Sequence, residues 1–173
     1  MVIAESDVEG YTSDITQMFV PGKVSDNVKR AFDLAHRAQS AAVETARPGA
    51  LTANVDLAAR KIIVDGGHGP GFTCFSHLLG YPIGMDMHEW PYFANNSIFG
   101  YDLTLRLKTG NQLSDEPGIC IRSEFGILPE VTRQPKNCRR QPEEQHRPRL
   151  HGSAGRDVKK QTPAEYAKGW LPK

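Results

Sequence analysis

Two stretches of the chain place apolar residues at helical spacing. The first covers about residues 25 to 47, where Ser25 is a suitable N-cap and Pro48-Gly49 ends the pattern. The second covers about residues 52 to 65 and is closed by Gly66-Gly67. We predict a helix over each stretch, because the recurring residues form one apolar face. These residues are Val28, Phe32, Ala35, Ala38 or Gln39, Ala42 and Ala46 in the first helix, and Val55, Ala58, Ala59, Ile62 and Ile63 in the second.

Shorter runs before and after the helices predict strands. Residues 2 to 4 and 11 to 20 are strand-like and are joined by a polar turn, which predicts a hairpin. Further strands are expected at 103 to 107, 111 to 115 and 118 to 128. Residues 68 to 92 are rich in glycine and proline, which is typical of the loops on which site residues tend to lie.

The regular pattern stops near residue 131, and the charge balance changes there. Residues 132 to 173 contain 11 Lys or Arg against 4 Asp or Glu, with few large apolar residues. Such a segment buries too little surface to offset its ordering entropy. We therefore predict one domain over residues 1–131, followed by a basic, disordered tail over residues 132–173. The tail lacks interleaved aromatic residues, so a nucleic acid is not an expected partner.

Other features bear on the compartment. No run of eighteen apolar residues occurs, so no membrane span is expected. The first twenty residues hold four acidic groups and no basic one, which argues against a signal peptide. Cys74, Cys120 and Cys138 form no Cys-x-x-Cys pair, and we expect them to be reduced thiols in a cytoplasmic protein.

Three carboxylates and two histidines are candidates for chemistry. Asp14, Glu116 and Glu130 lie in or beside predicted strands, and hard divalent cations prefer oxygen ligands. His77 and His88 flank a glycine-rich turn. Taken singly, each acid has a simpler explanation as a solvated strand residue, and His88 as a hydrogen-bonded loop residue. Only the joint pattern favours a metal site.

Three separate motifs carry that joint pattern. They are GYTSDITQMF from Gly10 to Phe19, GYPIGMDMHEWPY from Gly80 to Tyr92, and SDEPGIC from Ser114 to Cys120. In this order they resemble the pita-bread metallopeptidases, which include aminopeptidase P, Xaa-Pro dipeptidase and creatinase. The resemblance covers roughly residues 2 to 131. It implies an α+β fold, a curved antiparallel sheet with outer helices, here partial and without its upstream part.

The resemblance also implies a chemistry. Family members use two divalent ions, usually manganese, cobalt or zinc, to hydrolyse peptides at a proline-containing end. Asp14, Glu116 and Glu130 match metal-binding carboxylates of the family. His77 and His88 match its two non-ligand histidines, which contact the substrate and move protons. Together with Trp90 they are the implied substrate-binding residues.

Two expected metal ligands are replaced in this chain. The family's first aspartate falls on Ile3, and its metal-binding histidine falls on Tyr81. An alkyl side chain cannot bind a cation, and a phenol with a pKa of about 10 is a poor ligand at neutral pH. The remaining carboxylates would hold one ion or none. Glu5 and His68 are the nearby residues that could substitute, Glu5 through a two-residue slip of the hairpin register.

Three interpretations stay open. The chain is a working Xaa-Pro metallopeptidase, an inactive peptide-binding or interaction module, or a truncated or frame-disturbed gene product. Because two ligands are replaced, we expect a metallopeptidase relative with impaired activity. A peptide is the expected partner, and analogy with the fold family implies a homodimer.

Overall fold

The computed structural model describes residues 1–95, 103–133 and 151–152. The elements run in chain order from a hairpin through two helices to short strands. They are β1 (Val2–Val8), β2 (Tyr11–Gln17), β3 (Phe19–Val20), α1 (Asp26–Thr45), α2 (Thr52–Asp65), β4 (Leu113–Asp115), β5 (Ile119–Ile121), β6 (Phe125–Ile127), β7 (Val131–Arg133) and β8 (His151–Gly152).

Both helices form where the apolar spacing predicts them. The Ser25 Oγ accepts a hydrogen bond from the Val28 N–H and caps α1, while α2 has the predicted bounds. The two helices pack against each other. Their apolar faces make up much of the core, in which Leu34, Ala35, Ala38, Ala59 and Ile63 are at most 4% exposed. Burial of these faces, rather than helix propensity alone, stabilises the pair.

The strands form two-stranded sheets. β1 pairs with β2, β4 with β7, and β5 with β6, all antiparallel, whereas β3 and β8 are parallel. The Thr132 hydroxyl of β7 donates to the Asp14 carbonyl of β2 at 2.6 Å, which joins the first hairpin to the β4–β7 pair. This junction brings the N-terminal and C-terminal parts of the described chain together.

Residues 79 to 83 continue the sheet beside β4. The Ser114 N–H donates to the Tyr81 carbonyl and the Glu116 N–H donates to the Leu79 carbonyl, each at 2.8 Å. Gly80 permits this approach, because a Cβ at that position would lie 2.1 Å from the Ser114 carbonyl oxygen. Tyr81 is thereby held next to the strand that precedes Glu116.

Helix α1 supports the same region from behind. The buried Gln39 side-chain amide donates to the carbonyls of Asp115 at 3.1 Å and Pro129 at 3.3 Å. Asp115 precedes Glu116 and Pro129 precedes Glu130. One helix residue therefore fixes the backbone on which two of the candidate carboxylates lie.

Several predicted strands differ from the structure. β1 continues to Val8, although its polar residues gave no strand signal, because the whole strand is exposed and neither face needs apolar residues. The predicted strand at 103 to 107 is wrong: a turn and a single bridge between Leu51 and Arg106 lie there. The predicted strand at 118 to 128 is two strands, since Ser123 adopts a positive φ of 63° in the turn between β5 and β6.

The mixture of a helix pair with antiparallel ladders confirms the predicted α+β class. In the described part of the chain, no helix combines the length and apolar character needed to cross a membrane. Apart from residues 132–133 and 151–152, the predicted basic tail lies outside the described residues, so its disorder stays a prediction.

Candidate functional site

Three carboxylates from separate parts of the chain meet on one side of the sheet. Asp14 is in β2, Glu116 follows β4 and Glu130 precedes β7. Asp14 and Glu130 are buried, and Glu116 is half-buried. The charges of Asp14 and Glu130 each act on Glu116, which requires short separations in a folded protein. We refer to Asp14, Tyr81, Glu116 and Glu130 as the acidic cluster.

Hydroxyl groups supply the hydrogen-bond donors to Glu130. The Ser114 Oγ donates to one Glu130 oxygen at 2.8 Å, and the Thr16 Oγ1 donates to the other. Thr16 is in β2 two residues after Asp14, so both side chains lie on the buried face of that strand. Both oxygens of this carboxylate are therefore satisfied by neutral groups of the chain.

Tyr81 completes the cluster at a position where the family resemblance implies a metal-binding histidine. Its hydroxyl donates to the Asp14 Oδ2 at 3.2 Å and also contacts the Glu116 carboxyl. A phenol has a single hydroxyl hydrogen, so it donates to one of the two carboxyls at a time. The tyrosine side chain is buried, and its ring lies 3.9 Å from the His88 ring, centroid to centroid.

Burial dominates the electrostatics of the cluster. It raises the pKa of Glu116 to about 8, and the charge of Glu130 adds to this increase. Burial likewise raises the pKa of Glu130, although the Thr16 and Ser114 hydroxyls oppose the change. Burial and the neighbouring carboxylates raise the pKa of Tyr81, so its hydroxyl stays protonated. Every charged group that shifts these three residues is a carboxylate.

The first hairpin shows which residues lie near Asp14. Ile3 pairs with Thr16, and Glu5 pairs directly with Asp14 in the β1–β2 register. The two-residue slip considered from the sequence is therefore not needed to bring Glu5 opposite Asp14. Ile3 and Glu5 are exposed, as is the rest of β1. His68 follows α2, and its backbone N–H bonds back to the Ile63 carbonyl.

The predicted substrate-binding residues His77, His88 and Trp90 each have different neighbours. His88 is exposed and contacts the Tyr81 ring. His77 is half-buried, and its ring lies against Gly118, where a Cβ would be 2.4 Å from Nε2. Trp90 is 56% exposed, and its ring lies 5.0 Å from the Tyr92 ring, centroid to centroid.

Sequence reasoning missed four residues that shape the site. Thr16 and Ser114 bond Glu130, while Asp56 and Arg60 form a buried pair in α2. A signal was present for each of them. Thr16 and Ser114 are each two residues from a candidate carboxylate, and Asp56 and Arg60 have the four-residue spacing of helical ion pairs.

Within residues 1–95 and 103–133, no group of three or more His, Cys, Asp or Glu side chains is arranged to hold a metal ion. The hydroxyls of Thr16 and Ser114 bond Glu130 and the Tyr81 hydroxyl bonds the Asp14 Oδ2, whereas the buried Asp14 Oδ1 has no hydrogen-bond partner among the described residues.

The profile of metallopeptidase family M24 matches residues 2–132, which is most of the chain. The chain belongs to metallopeptidase family M24. A similar relative is the Xaa-Pro dipeptidase of Lactobacillus delbrueckii subsp. lactis, 39% identical over 119 residues, which are 69% of this chain and 30% of the relative. The Xaa-Pro dipeptidase of Pyrococcus horikoshii is 37% identical over 122 residues, which are 70% of this chain and 32% of the relative.

Solved M24 structures share the fold. The prolidase of Thermococcus sibiricus has a TM-score of 0.67 and 32% identity, covering 75% of this chain and 33% of the prolidase. The prolidase of Pyrococcus furiosus has the same TM-score and 34% identity, covering 75% of this chain and 36% of that protein. These neighbours confirm the partial pita-bread fold. The chain spans about a third of the length of the relatives it matches.

Proposed function

We propose that this M24 chain is a divergent relative of Xaa-Pro peptidases, with peptides bearing a proline-containing end as ligands and an incomplete metal site. The family match and the relatives named Xaa-Pro dipeptidase support the ligand class. The contact between the Tyr81 hydroxyl and Asp14 carries the second part of the proposal. It places a neutral donor among carboxylates that would otherwise face a cation.

The residues present do not fit a pair of divalent ions. A pair of ions needs deprotonated ligands at every ligand position of the family, whereas two of those positions hold the alkyl chain of Ile3 and the protonated phenol of Tyr81. Burial raises the pKa of Tyr81, so the phenol is not a phenolate at neutral pH. Asp14, Glu116 and Glu130 would hold at most one hard ion, such as manganese, and only by displacing the Tyr81 hydroxyl. Hydrolytic activity is accordingly impaired.

A second candidate function is peptide binding without cleavage. Trp90 is exposed and packs against the half-buried Tyr92, and aromatic faces are suited to the apolar ring of proline. The His88 ring contacts Tyr81 of the acidic cluster and the His77 ring lies against Gly118, two residues beyond Glu116, and their nitrogens would bond the peptide's polar groups. These features need no metal, so binding would survive the loss of turnover.

Metal content and cleavage separate the two candidates. The full chain is equilibrated with manganese, cobalt or zinc, dialysed, and examined by elemental analysis and by hydrolysis of an Xaa-Pro dipeptide. We expect one ion or none per chain and no turnover. Two ions per chain with turnover would contradict the proposal of an incomplete site.

Calorimetric titration with a non-cleaved proline dipeptide tests binding alone. Trp90→Ala is expected to weaken binding at least about tenfold, since an interface aromatic contributes about 2 kcal/mol. Met85→Ala is the matched control, because Met85 is 71% exposed and lies on the same loop. Equal affinities of Trp90→Ala and Met85→Ala would show that Trp90 does not contact the bound dipeptide.

The remaining expectations stay predictions. Cys74 and Cys120 are free thiols in the structure, which fits the proposed cytoplasmic location. The homodimer is supported only by analogy with the fold family.

A further inference from the structure

Arg60 of α2 is a buried arginine whose donors are directed to three different partners. Its Nε donates to the Asp56 Oδ2 at 2.8 Å, while its two terminal nitrogens donate to the carbonyls of Phe75 and His77, each at 2.6 Å. Arg60 is only 5% exposed. A guanidinium fork used in this way holds its partners more rigidly than an ammonium group can.

The guanidinium also stacks between two aromatic rings. Its central carbon lies 3.9 Å from the Phe72 ring centroid and 4.1 Å from the Phe75 ring centroid. Cation–π contacts of this kind restrict the plane of the guanidinium. Arg60 therefore joins α2 to the loop of residues 72 to 77 through two carbonyls and two rings.

That loop ends at His77, whose ring orientation is defined by its contacts. The His77 Nδ1 lies 2.6 Å from the Leu78 carbonyl oxygen, and a carbonyl can only accept, so Nδ1 carries the proton. Burial lowers the pKa of His77, and the charge of Arg60 contributes in the same direction. Nε2 of the neutral ring is then an acceptor, and it lies against Gly118, two residues beyond Glu116.

We infer that Arg60 is a positioning residue for His77. By donating to the Phe75 and His77 carbonyls, it fixes the loop of residues 72 to 77 and so keeps the imidazole in the Nδ1–H form, with Nε2 directed to the Gly118 side of the site. Only the role of Nε2 rests on the proposed function, because there it would accept a hydrogen bond from a peptide N–H. The tautomer itself can be measured without any peptide.

The experiment is long-range proton–nitrogen NMR on the full chain labelled with nitrogen-15 histidine, with His77→Gln used to assign the His77 signals. In the wild type we expect the Nδ1–H form. Arg60→Lys keeps a positive charge but loses the fork, and it should cause loss of the single Nδ1–H form. Arg30→Lys, an exposed arginine of α1, is the matched control and should leave the His77 signals unchanged.

A wild-type spectrum showing the Nε2–H form would overturn the inference. So would an Arg60→Lys protein that unfolds cooperatively and keeps the wild-type His77 signals. Solvent exchange of the wild-type Nδ1 proton gives a test that does not depend on how the variant folds. Slow exchange supports the clamp, whereas exchange as fast as that of the exposed His88 ring overturns it. A wild type that fails to bind proline dipeptides would contradict the proposed function and leave the tautomer result intact.

Discussion

The chain contains two buried polar clusters that solve the problem of burying charge in different ways. In α2, the Asp56 carboxylate faces the guanidinium of Arg60, and both side chains are almost fully buried. In the acidic cluster, Asp14, Glu116 and Glu130 face one another, and the hydroxyls of Thr16, Tyr81 and Ser114 donate to Glu130 and Asp14. The first cluster carries its own counter-charge, whereas the second depends on protons or on a cation from outside the chain.

The difference shows which cluster serves the fold and which is available for function. Asp56 and Arg60 are one helical turn apart, so their pairing forms with the helix itself. Asp14 lies more than a hundred residues before Glu116 and Glu130 in the chain, and the three acids meet only when the sheet closes. Like charges brought together at a cost to stability are typical of functional sites.

The largest expected effect is a loss of stability when Arg60 is removed from its buried pair with Asp56. Arg60→Leu removes the counter-charge of the buried Asp56 carboxylate and the side-chain donors to the Phe75 and His77 carbonyls, and should lower the free energy of unfolding by about 3–5 kcal/mol. Urea unfolding followed by circular dichroism measures this change. Lys61→Leu removes a neighbouring, exposed pair with Asp65 and should cost less than about 1 kcal/mol. Similar losses of unfolding free energy for Arg60→Leu and Lys61→Leu would show that the buried pair stabilises the fold no more than an exposed one.

A smaller loss is expected on removing a neutral donor from the acidic cluster. Ser114→Ala leaves one buried Glu130 oxygen without its hydrogen bond, and should lower the free energy of unfolding by about 1–3 kcal/mol. Ser6→Ala on the exposed strand β1 is the control, with a change within about 0.5 kcal/mol. An unchanged midpoint for Ser114→Ala in urea would mean that water replaces the hydroxyl.

Tyr81→His tests whether the acidic cluster lacks only a nitrogen ligand. A neutral imidazole offers the cation a lone pair that the protonated phenol does not, so manganese should bind about tenfold more tightly or better. Calorimetric titration measures the affinity. Tyr11→His places the same imidazole on the exposed hairpin, and no gain is expected there. Equal gains for the two variants would assign the effect to the histidine alone.

A pH dependence of stability should also separate the two clusters. Glu116 has a pKa of about 8 in the folded protein against 4.5 for the ordinary group. The folded state therefore keeps a proton that the unfolded state releases, and its stabilising contribution is lost as the pH rises from about 4.5 through 8. Thermal unfolding across this range should show the decline, and Glu116→Gln should flatten it. A wild-type profile without the decline would indicate that a cation already balances the cluster.

Local structure was largely predictable from the sequence. The bounds of α2 and the Ser25 cap of α1 follow from spacing and from capping chemistry, both of which act within a few residues. β1 was longer than predicted because a fully exposed strand has no apolar alternation to detect. β7 was missed because its three residues form a strand only by pairing with β4.

By itself the sequence determined the two helices, the α+β class and, through three separated motifs, the metallopeptidase family. It also identified Ile3 and Tyr81 as departures from the family's ligand pattern. Only the tertiary structure decided that Tyr81 bonds Asp14, that Thr16 and Ser114 bond Glu130, and that Arg60 holds the loop before His77. The physical reason is range: spacing and caps operate between near neighbours, whereas these contacts join side chains that the closed sheet and the helix pair bring together.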